Sequence, residues 1–145
     1  MKNSLKAIAP WTLGLLLAIA GAPCLRAQIT NDIQANIGHS FVIGNKTLPP
    51  GQYTFHAESN TGGELMIARN GRGDNVDQFS VRPSIDQLTP RHSQLIFNKY
   101  GHTEFLSKIY EGGNRDGVAV SEISGREARL IRDGHHPVEH TEEQR

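Results

Sequence analysis

The chain contains one cysteine, Cys24, and one tryptophan, Trp11, and its 15 basic residues are balanced by 15 acidic residues. A single cysteine cannot close a disulfide within the chain, which excludes a small disulfide-stapled scaffold. The balanced charge argues against nucleic acid as a partner, because phosphate binding needs a concentrated basic surface. At 145 residues the chain has room for one ordinary domain, so a multidomain enzyme is also excluded.

The sequence signatures of hydrolytic enzymes are missing as well. There is no Gly-x-Ser-x-Gly motif and no His-Glu-x-x-His motif, and the single cysteine lies near the N-terminus. The histidines of the central part, among them His56, are scattered over polar positions and turns. A hydrolase whose site is gathered from loops, such as His56 with Asp86 and a serine, is therefore the least favoured function.

Long hydrophobic runs are missing except near the N-terminus. Lys2 and Lys6 precede an apolar stretch at 7–22, and small residues follow it. This layout predicts a secretory signal peptide, since a stretch of 16 residues is shorter than the roughly 20 that a membrane-spanning helix needs. We place the cleavage site before Gln28, so that residues 1–27 form the signal peptide.

Cleavage at that point changes the composition of the exported chain. The signal peptide takes with it three basic residues and the only cysteine, which leaves 12 basic against 15 acidic residues and no thiol. A lipoprotein signal that modifies Cys24 is the alternative, and it fits less well because Pro23 lies beside the cysteine. We therefore expect a periplasmic or extracellular protein that has no membrane span after cleavage and depends on a hydrophobic core.

Alternation with a period of two residues is the strongest pattern in residues 28–110. Tyr53 and Phe55 alternate with polar residues, which predicts a half-buried strand. Further runs are separated by turns rich in glycine, proline and asparagine. These further runs begin near Ile33, Phe41, Leu65 and Phe79. Pro83 and Pro90 argue against a strand in the segment that they frame.

A β-hairpin is predicted over residues 94–110. Gly101 begins a two-residue loop, and a type II′ turn requires glycine at that position. The register that this loop imposes gives one favourable charge pair and one apolar pair, which supports it. The two pairs are Lys99 with Glu104 and Phe97 with Leu106.

Helical signals are confined to residues 124–134. Ser124 is followed three residues later by Glu127, which is the spacing of a capping box, and Gly134 is placed to end the helix. Residues 134–145 are polar, and they predict a flexible tail.

The histidines of this tail are the candidate metal ligands. His135, His136 and His140 carry imidazoles one and four residues apart, which share an ion if the segment becomes helical. Pro137 interrupts such a helix, and a metal site needs a fixed scaffold. We therefore interpret any metal affinity of the tail as weak and incidental, and we predict no cofactor.

These patterns together predict an all-β fold, namely an antiparallel β-sandwich or small barrel with one short C-terminal helix. The predicted organisation is a signal peptide at 1–27, a β-rich domain at 28–133 and a flexible polar tail at 134–145.

Two segments, 33–53 and 95–109, carry motifs that resemble a family of small exported bacterial proteins of unassigned function. The first resembles the family's opening, A-x-I-P-F-x-F-x-V-G-x-x-x-L-P-A-G-x-Y, and the second its hairpin, L-x-F-x-x-Y-G-x-x-x-F-L-S-x-I. The chain departs from the family at 38–40, where Pro-Phe-x is usual, and at Pro50, where alanine is usual. The resemblance covers roughly residues 29–131. It implies export and a β-rich domain, and it brings no catalytic residues.

The function expected from the sequence is that of a non-enzymatic exported β-domain. It binds or structures an unidentified partner at the cell envelope or outside the cell. The alternative is a carrier of a small apolar ligand inside a barrel cavity, which requires an interior that side chains do not fill.

Overall fold

The computed structural model describes residues 29–58, 64–86 and 88–144. These residues form ten strands and one helix, which confirms the predicted all-β fold with a short C-terminal helix. The predicted signal peptide and its cleavage site lie outside the described residues. Within the described ranges, no helix is long and apolar enough to cross a membrane.

The elements follow one another along the chain with short connections. In order they are β1 (Ile33–Ile37), β2 (Phe41–Ile43), β3 (Lys46–Leu48), β4 (Gly51–Ala57), β5 (Leu65–Asn70), β6 (Asn75–Ile85), β7 (Ser93–Tyr100), β8 (Thr103–Tyr110), β9 (Asp116–Val120), α1 (Gly125–Arg132) and β10 (Val138–Gln144).

The strands form one large curled sheet. Its main path runs β1-β4-β5-β6-β9-β8, and β8 continues on its other side through β7 to β10. The long strand β6 pairs with β5 through its first half and with β9 through its second half, so it joins the two parts of the sheet. The two strands at the ends of this path, β1 and β10, lie close together. The backbone N–H of Asn36 in β1 donates a hydrogen bond to the side-chain oxygen of Gln144 in β10 at 2.9 Å. The sheet therefore curls around a single core.

One pairing differs from the purely antiparallel expectation. The short hairpin β2–β3 joins the sheet through a parallel contact between Val42 and Phe105 of β8. The sheet is therefore mixed, although its other pairings are antiparallel.

The interior is filled by side chains from both parts of the sheet. Alternation places Ile33, Ala35 and Ile37 of β1 inside and exposes the residues between them. The largest fully buried side chains are Phe41, Phe55, Phe97, Ile37, Ile43, Met66, Leu95, Ile109 and Val42. Three large aromatic rings and several branched aliphatic chains thus occupy the space that the apolar-carrier alternative would need empty.

The predicted hairpin is present with the predicted register. Lys99 lies opposite Glu104, and Phe97 lies opposite Leu106. Gly101 has a φ of +61°, which is the left-handed backbone conformation that the first position of this turn demands. A local turn signal was sufficient for the pairs nearest the loop, and beyond Phe97 a bulge shifts the register so that Ile96 lies opposite Lys108.

The expectation that prolines exclude a strand after Val81 is wrong. Pro83 lies within β6, opposite Val118 of β9. The N–H of Val81 bonds to the carbonyl of Glu64 beside β5, so the nitrogen of Pro83, two residues later, faces the same edge of β6. β5 begins only at Leu65, opposite Ser80, so no residue of β5 lies opposite Pro83 and the β5–β6 ladder loses no hydrogen bond to the proline.

The expectation of a flexible tail over 134–145 is also wrong. Val138–Gln144 forms β10, which pairs antiparallel with β7 along its whole length. Its half-buried positions are His140, Glu142 and Gln144, which alternate with exposed ones. The strand has no apolar face for a hydrophobicity pattern to reveal. It forms because the outer edge of β7 offers unpaired backbone groups.

The helix begins and ends as the sequence predicts. The Ser124 hydroxyl accepts the N–H of Glu127 at 3.0 Å, and Gly134 follows the helix with a φ of +83°. Leu130 packs against a small cluster on the sheet, whereas Ile131 is 46% exposed. The members of that sheet cluster are Val42, Tyr100 and Phe105.

Candidate functional site

The docking of β10 gathers four side chains from distant parts of the sequence. His140 and Glu142 come from β10, Glu104 comes from the start of β8, and His39 comes from the turn between β1 and β2. We call His39, Glu104, His140 and Glu142 the histidine–glutamate cluster.

Glu104 is the centre of this cluster, and it is only 5% exposed. Its Oε2 atom accepts a hydrogen bond from Nδ1 of His140 at 2.7 Å and lies 2.9 Å from Nε2 of His39. Its Oε1 atom lies 3.0 Å from the Nζ of Lys99, its cross-strand neighbour. One buried carboxylate thus holds groups from the β1–β2 turn, β7 and β10.

The surroundings of Glu104 favour its ionised form. Burial alone raises the pKa of a carboxyl group, but hydrogen bonds from His140 and Lys99, together with the nearby His39, bring the pKa of Glu104 below its ordinary value. Glu104 therefore remains a carboxylate, which can only accept hydrogen bonds.

The other half of the cluster is less well satisfied. Nδ1 of His39 lies 3.1 Å from Oε1 of Glu142. Among the described residues, two buried polar atoms have no hydrogen-bond partner of adequate geometry, and both are in this cluster: Nε2 of His39 and Oε2 of Glu142. Native proteins rarely leave buried polar atoms unpaired, and an ion or a water is the usual reason when they do.

Phe97 forms the floor beneath the two imidazoles. Its ring centroid lies 5.1 Å from that of His39, in an edge-on arrangement, and 6.2 Å from that of His140. Phe97 is fully buried and belongs to the main core, so the cluster rests on a rigid base. This base restricts how far either histidine can rotate away.

The metal ligands suggested by the sequence are only partly those that the structure brings together. His140 belongs to a group whose ligand atoms all lie within 4.8 Å of one another, and its companions are His39 and Glu142. His135 and His136 are exposed in the connection between α1 and β10 and are not part of this group. The sequence spacing brings these histidines together only if the segment is helical, whereas a strand brings residues two apart, not four apart, onto one face.

A second polar cluster lies where α1 meets the sheet. The buried carboxylate of Glu127 accepts hydrogen bonds from Nδ2 of Asn98 at 2.8 Å and from the hydroxyl of Tyr100 at 3.3 Å. Burial, with the charge and hydrogen bond of Glu127, raises the pKa of Tyr100 above its ordinary value. These contacts fasten the helix to β7, so we interpret them as structural.

The hydrolase alternative finds no assembled site in the described part of the chain. His56 pairs with Asp32 at 2.5 Å, in an exposed position, and not with Asp86. Serine hydroxyls that form hydrogen bonds serve the fold: Ser84 bonds to Tyr110, Ser93 accepts from the N–H of Gly112, and Ser124 caps α1. A charge-paired histidine without a nucleophile beside it cannot perform acyl transfer.

Two grooves of the described surface are lined by residues outside the histidine–glutamate cluster. One of about 550 Å³ lies over β1, β4 and β5 and is lined mainly by polar side chains such as Gln34, Gln52 and Arg69. Another, of about 630 Å³, lies between the β2–β3 turn and β6. Neither is lined by a residue of the cluster.

Comparison with known proteins gives no relative for this chain: no family model, no curated protein and no solved structure matches it.

Proposed function

We propose that this protein is an exported, non-enzymatic β-domain that binds a small ligand through the histidine–glutamate cluster, at the cell envelope or outside the cell. The observation that carries the proposal is the compact group of His39, His140 and Glu142, in which Oε2 of Glu142 has no hydrogen-bond partner and Nε2 of His39 meets Glu104 only in a 2.9 Å contact without hydrogen-bond geometry. Such atoms cost stability unless a ligand or a water satisfies them.

Export is proposed from the sequence of residues 1–27. A short basic segment, an apolar stretch of 16 residues and a cleavage site with Ala27 directly before Gln28 are the three parts of a secretory signal peptide. The resemblance of 33–53 and 95–109 to a family of exported bacterial proteins is consistent with this destination.

Binding is favoured over catalysis for two reasons. Neither of the two grooves described above is lined by a residue of the cluster, so neither holds an organic substrate against its side chains. Its most buried carboxylate, Glu104, is engaged by His140 and Lys99 and is not available as a general base. The packed interior likewise gives no support to a carrier of apolar ligands.

The test begins with the full precursor expressed in a bacterial host. Intact-mass measurement of the exported fraction should find a chain that begins at Gln28. A mass that includes residues 1–27, or a lipid on Cys24, contradicts the export part of the proposal.

Native mass spectrometry of the same fraction then reports a bound ligand. We expect a non-covalent added mass in the wild type that is missing from the double variant His39→Gln, His140→Gln. The matched control is the double variant His135→Gln, His136→Gln, which changes the same residue type at exposed positions outside the cluster and should keep the added mass. A wild type without added mass, or a cluster variant that retains it, contradicts the binding proposal.

A further inference from the structure

We infer that the ligand of the histidine–glutamate cluster is a divalent transition-metal ion, bound by His39, His140 and Glu142. This inference rests on the proposed function and names the ligand class of the same site. The ligand atoms of these three residues lie within 4.8 Å of one another, and all three side chains are half-buried on a folded scaffold.

The donor atoms select the class of metal. Two imidazole nitrogens and one carboxylate oxygen suit zinc, nickel, copper(II) and cobalt(II). Calcium and magnesium require sets of six or more oxygen atoms, or several retained waters, and imidazole is a poor substitute for these. The part of the chain that we propose is exported contains no cysteine, so thiolate does not compete for the ion.

The contacts around His39 place more carboxylate oxygens against the ring than a neutral imidazole has N–H groups to donate. Both ring nitrogens of His39 face carboxylate oxygens, at 2.9 Å from Glu104 and 3.1 Å from Glu142. A neutral imidazole carries one N–H, so one of these contacts brings a lone pair against a carboxylate. The 3.1 Å separation between Nδ1 of His39 and Oε1 of Glu142 is close to the roughly 3.3 Å between neighbouring ligands of a tetrahedral ion with 2.0–2.1 Å bonds.

Glu104 acts as the outer carboxylate that orients a ligand. It accepts the Nδ1–H of His140 at 2.7 Å, which leaves Nε2 of that ring free to bind the ion. Metal-binding histidines usually donate their second nitrogen to a carboxylate in this way. Lys99 holds the other oxygen of Glu104 at 3.0 Å, so the carboxylate is fixed before a metal arrives.

Three protein ligands leave one position of a tetrahedral ion for water or an exogenous group. Two of the three ligands, His140 and Glu142, belong to β10, and the third lies in the β1–β2 turn. A bound ion therefore links β10 to the opposite end of the sheet. It adds a bond to the contacts that already join these elements, which include the hydrogen bond from Asn36 to Gln144 and the His39–Glu142 pair.

The experiment uses the exported protein after dialysis against a chelator. Isothermal titration with zinc should give one site per chain, and cobalt(II) should develop the visible absorption of a tetrahedral nitrogen–oxygen site. His39→Gln and His140→Gln should each abolish the cobalt spectrum. Glu104→Gln should weaken zinc affinity by about 10–100-fold, as removal of an orienting partner does. The control His135→Gln, His136→Gln should keep both signals.

Circular dichroism of each variant establishes that it is folded, and Glu142→Gln provides a nearly isosteric fourth variant in case a histidine substitution disrupts the strand pairing. Retention of one zinc site in folded His39→Gln or Glu142→Gln overturns the inference, as does competition by magnesium or calcium at equal concentration. If zinc does not bind but native mass spectrometry still finds a different added mass that depends on His39 and His140, the metal inference is wrong and the proposed binding function stands.

Discussion

Replacement of Phe97 by alanine tests whether the hairpin is the base of both the core and the cluster. The ring is fully buried and belongs to the main hydrophobic cluster. It packs edge-on against Phe41, with 5.8 Å between ring centroids, and against His39 at 5.1 Å. No neighbouring strand can close the space that truncation leaves, because β7 is paired on both sides.

The expected loss of stability follows from this burial. Truncation of a buried phenylalanine to alanine costs about 3–5 kcal/mol, from the lost transfer free energy and the remaining cavity. The two edge-on ring contacts contribute about 0.5–1.5 kcal/mol each beyond buried area, which places Phe97 toward the upper end of that range. In a domain of this size, each 1 kcal/mol lowers the melting temperature by several degrees.

Urea unfolding followed by circular dichroism measures the effect. The matched control is Leu88→Ala, because Leu88 is 78% exposed and its truncation should change the unfolding free energy by less than about 0.5 kcal/mol. Equal losses for Phe97→Ala and Leu88→Ala would refute the assignment of Phe97 to the core.

Three further predictions concern β10, the helix interface and the outer face of β4. A chain that ends at Gly134 should melt several degrees lower than the full chain, because removal of β10 leaves the edge of β7 unpaired and takes the His140 hydrogen bond away from the Glu104 carboxylate; an unchanged melting temperature contradicts the docking of β10. Alkaline pH should destabilise the fold through Tyr100, whose pKa is raised above 10.0 in the folded chain. The stability that the protonated Tyr100 contributes is fully present below pH 10 and is lost as the pH rises through the pKa of Tyr100 in the folded chain. Urea melts on both sides of pH 10 measure that loss, and Tyr100→Phe should reduce it; an identical pH dependence in the variant contradicts the assignment. His56→Ala should change stability by less than about 0.5 kcal/mol, since its pairing with Asp32 is at the surface, and a loss above 2 kcal/mol in a urea melt would show that the outer face of β4 is misassigned.

Local signals in the sequence were sufficient for several elements. Alternation of apolar and polar residues predicted β1 and β4, because one face of each strand is in the core. Gly101 fixed the hairpin register, and the spacing of Ser124 and Glu127 marked the start of the helix. In each case the deciding interaction joins residues that are close in sequence.

Elements that depend on distant partners were missed. β10 is polar apart from the exposed Val138, and it is a strand because the edge of β7, about 40 residues earlier, is unpaired without it. β6 tolerates Pro83 because β5 begins only at Leu65, opposite Ser80, and does not reach the proline. Period-two spacing of His140, Glu142 and Gln144 was the one signal in the tail that pointed to a strand.

The candidate site was visible in the sequence only in fragments. The predicted pair of Lys99 and Glu104 is present, and His140 was among the suggested ligands. Nothing local connects either fragment to His39, which lies about 100 residues before His140. Only the curling of the sheet brings β1 beside β10 and so completes the cluster.

A crystal structure of the zinc-loaded protein, with anomalous scattering recorded at the zinc absorption edge, tests the central claim most directly. We expect one anomalous peak per chain, bound by a ring nitrogen of His39, Nε2 of His140 and the carboxylate of Glu142 at about 2.0–2.1 Å, with Glu104 bonded to Nδ1 of His140. An ion at His135 and His136, or no ordered ion between β10 and the β1–β2 turn, would contradict the assignment of the histidine–glutamate cluster as a metal site.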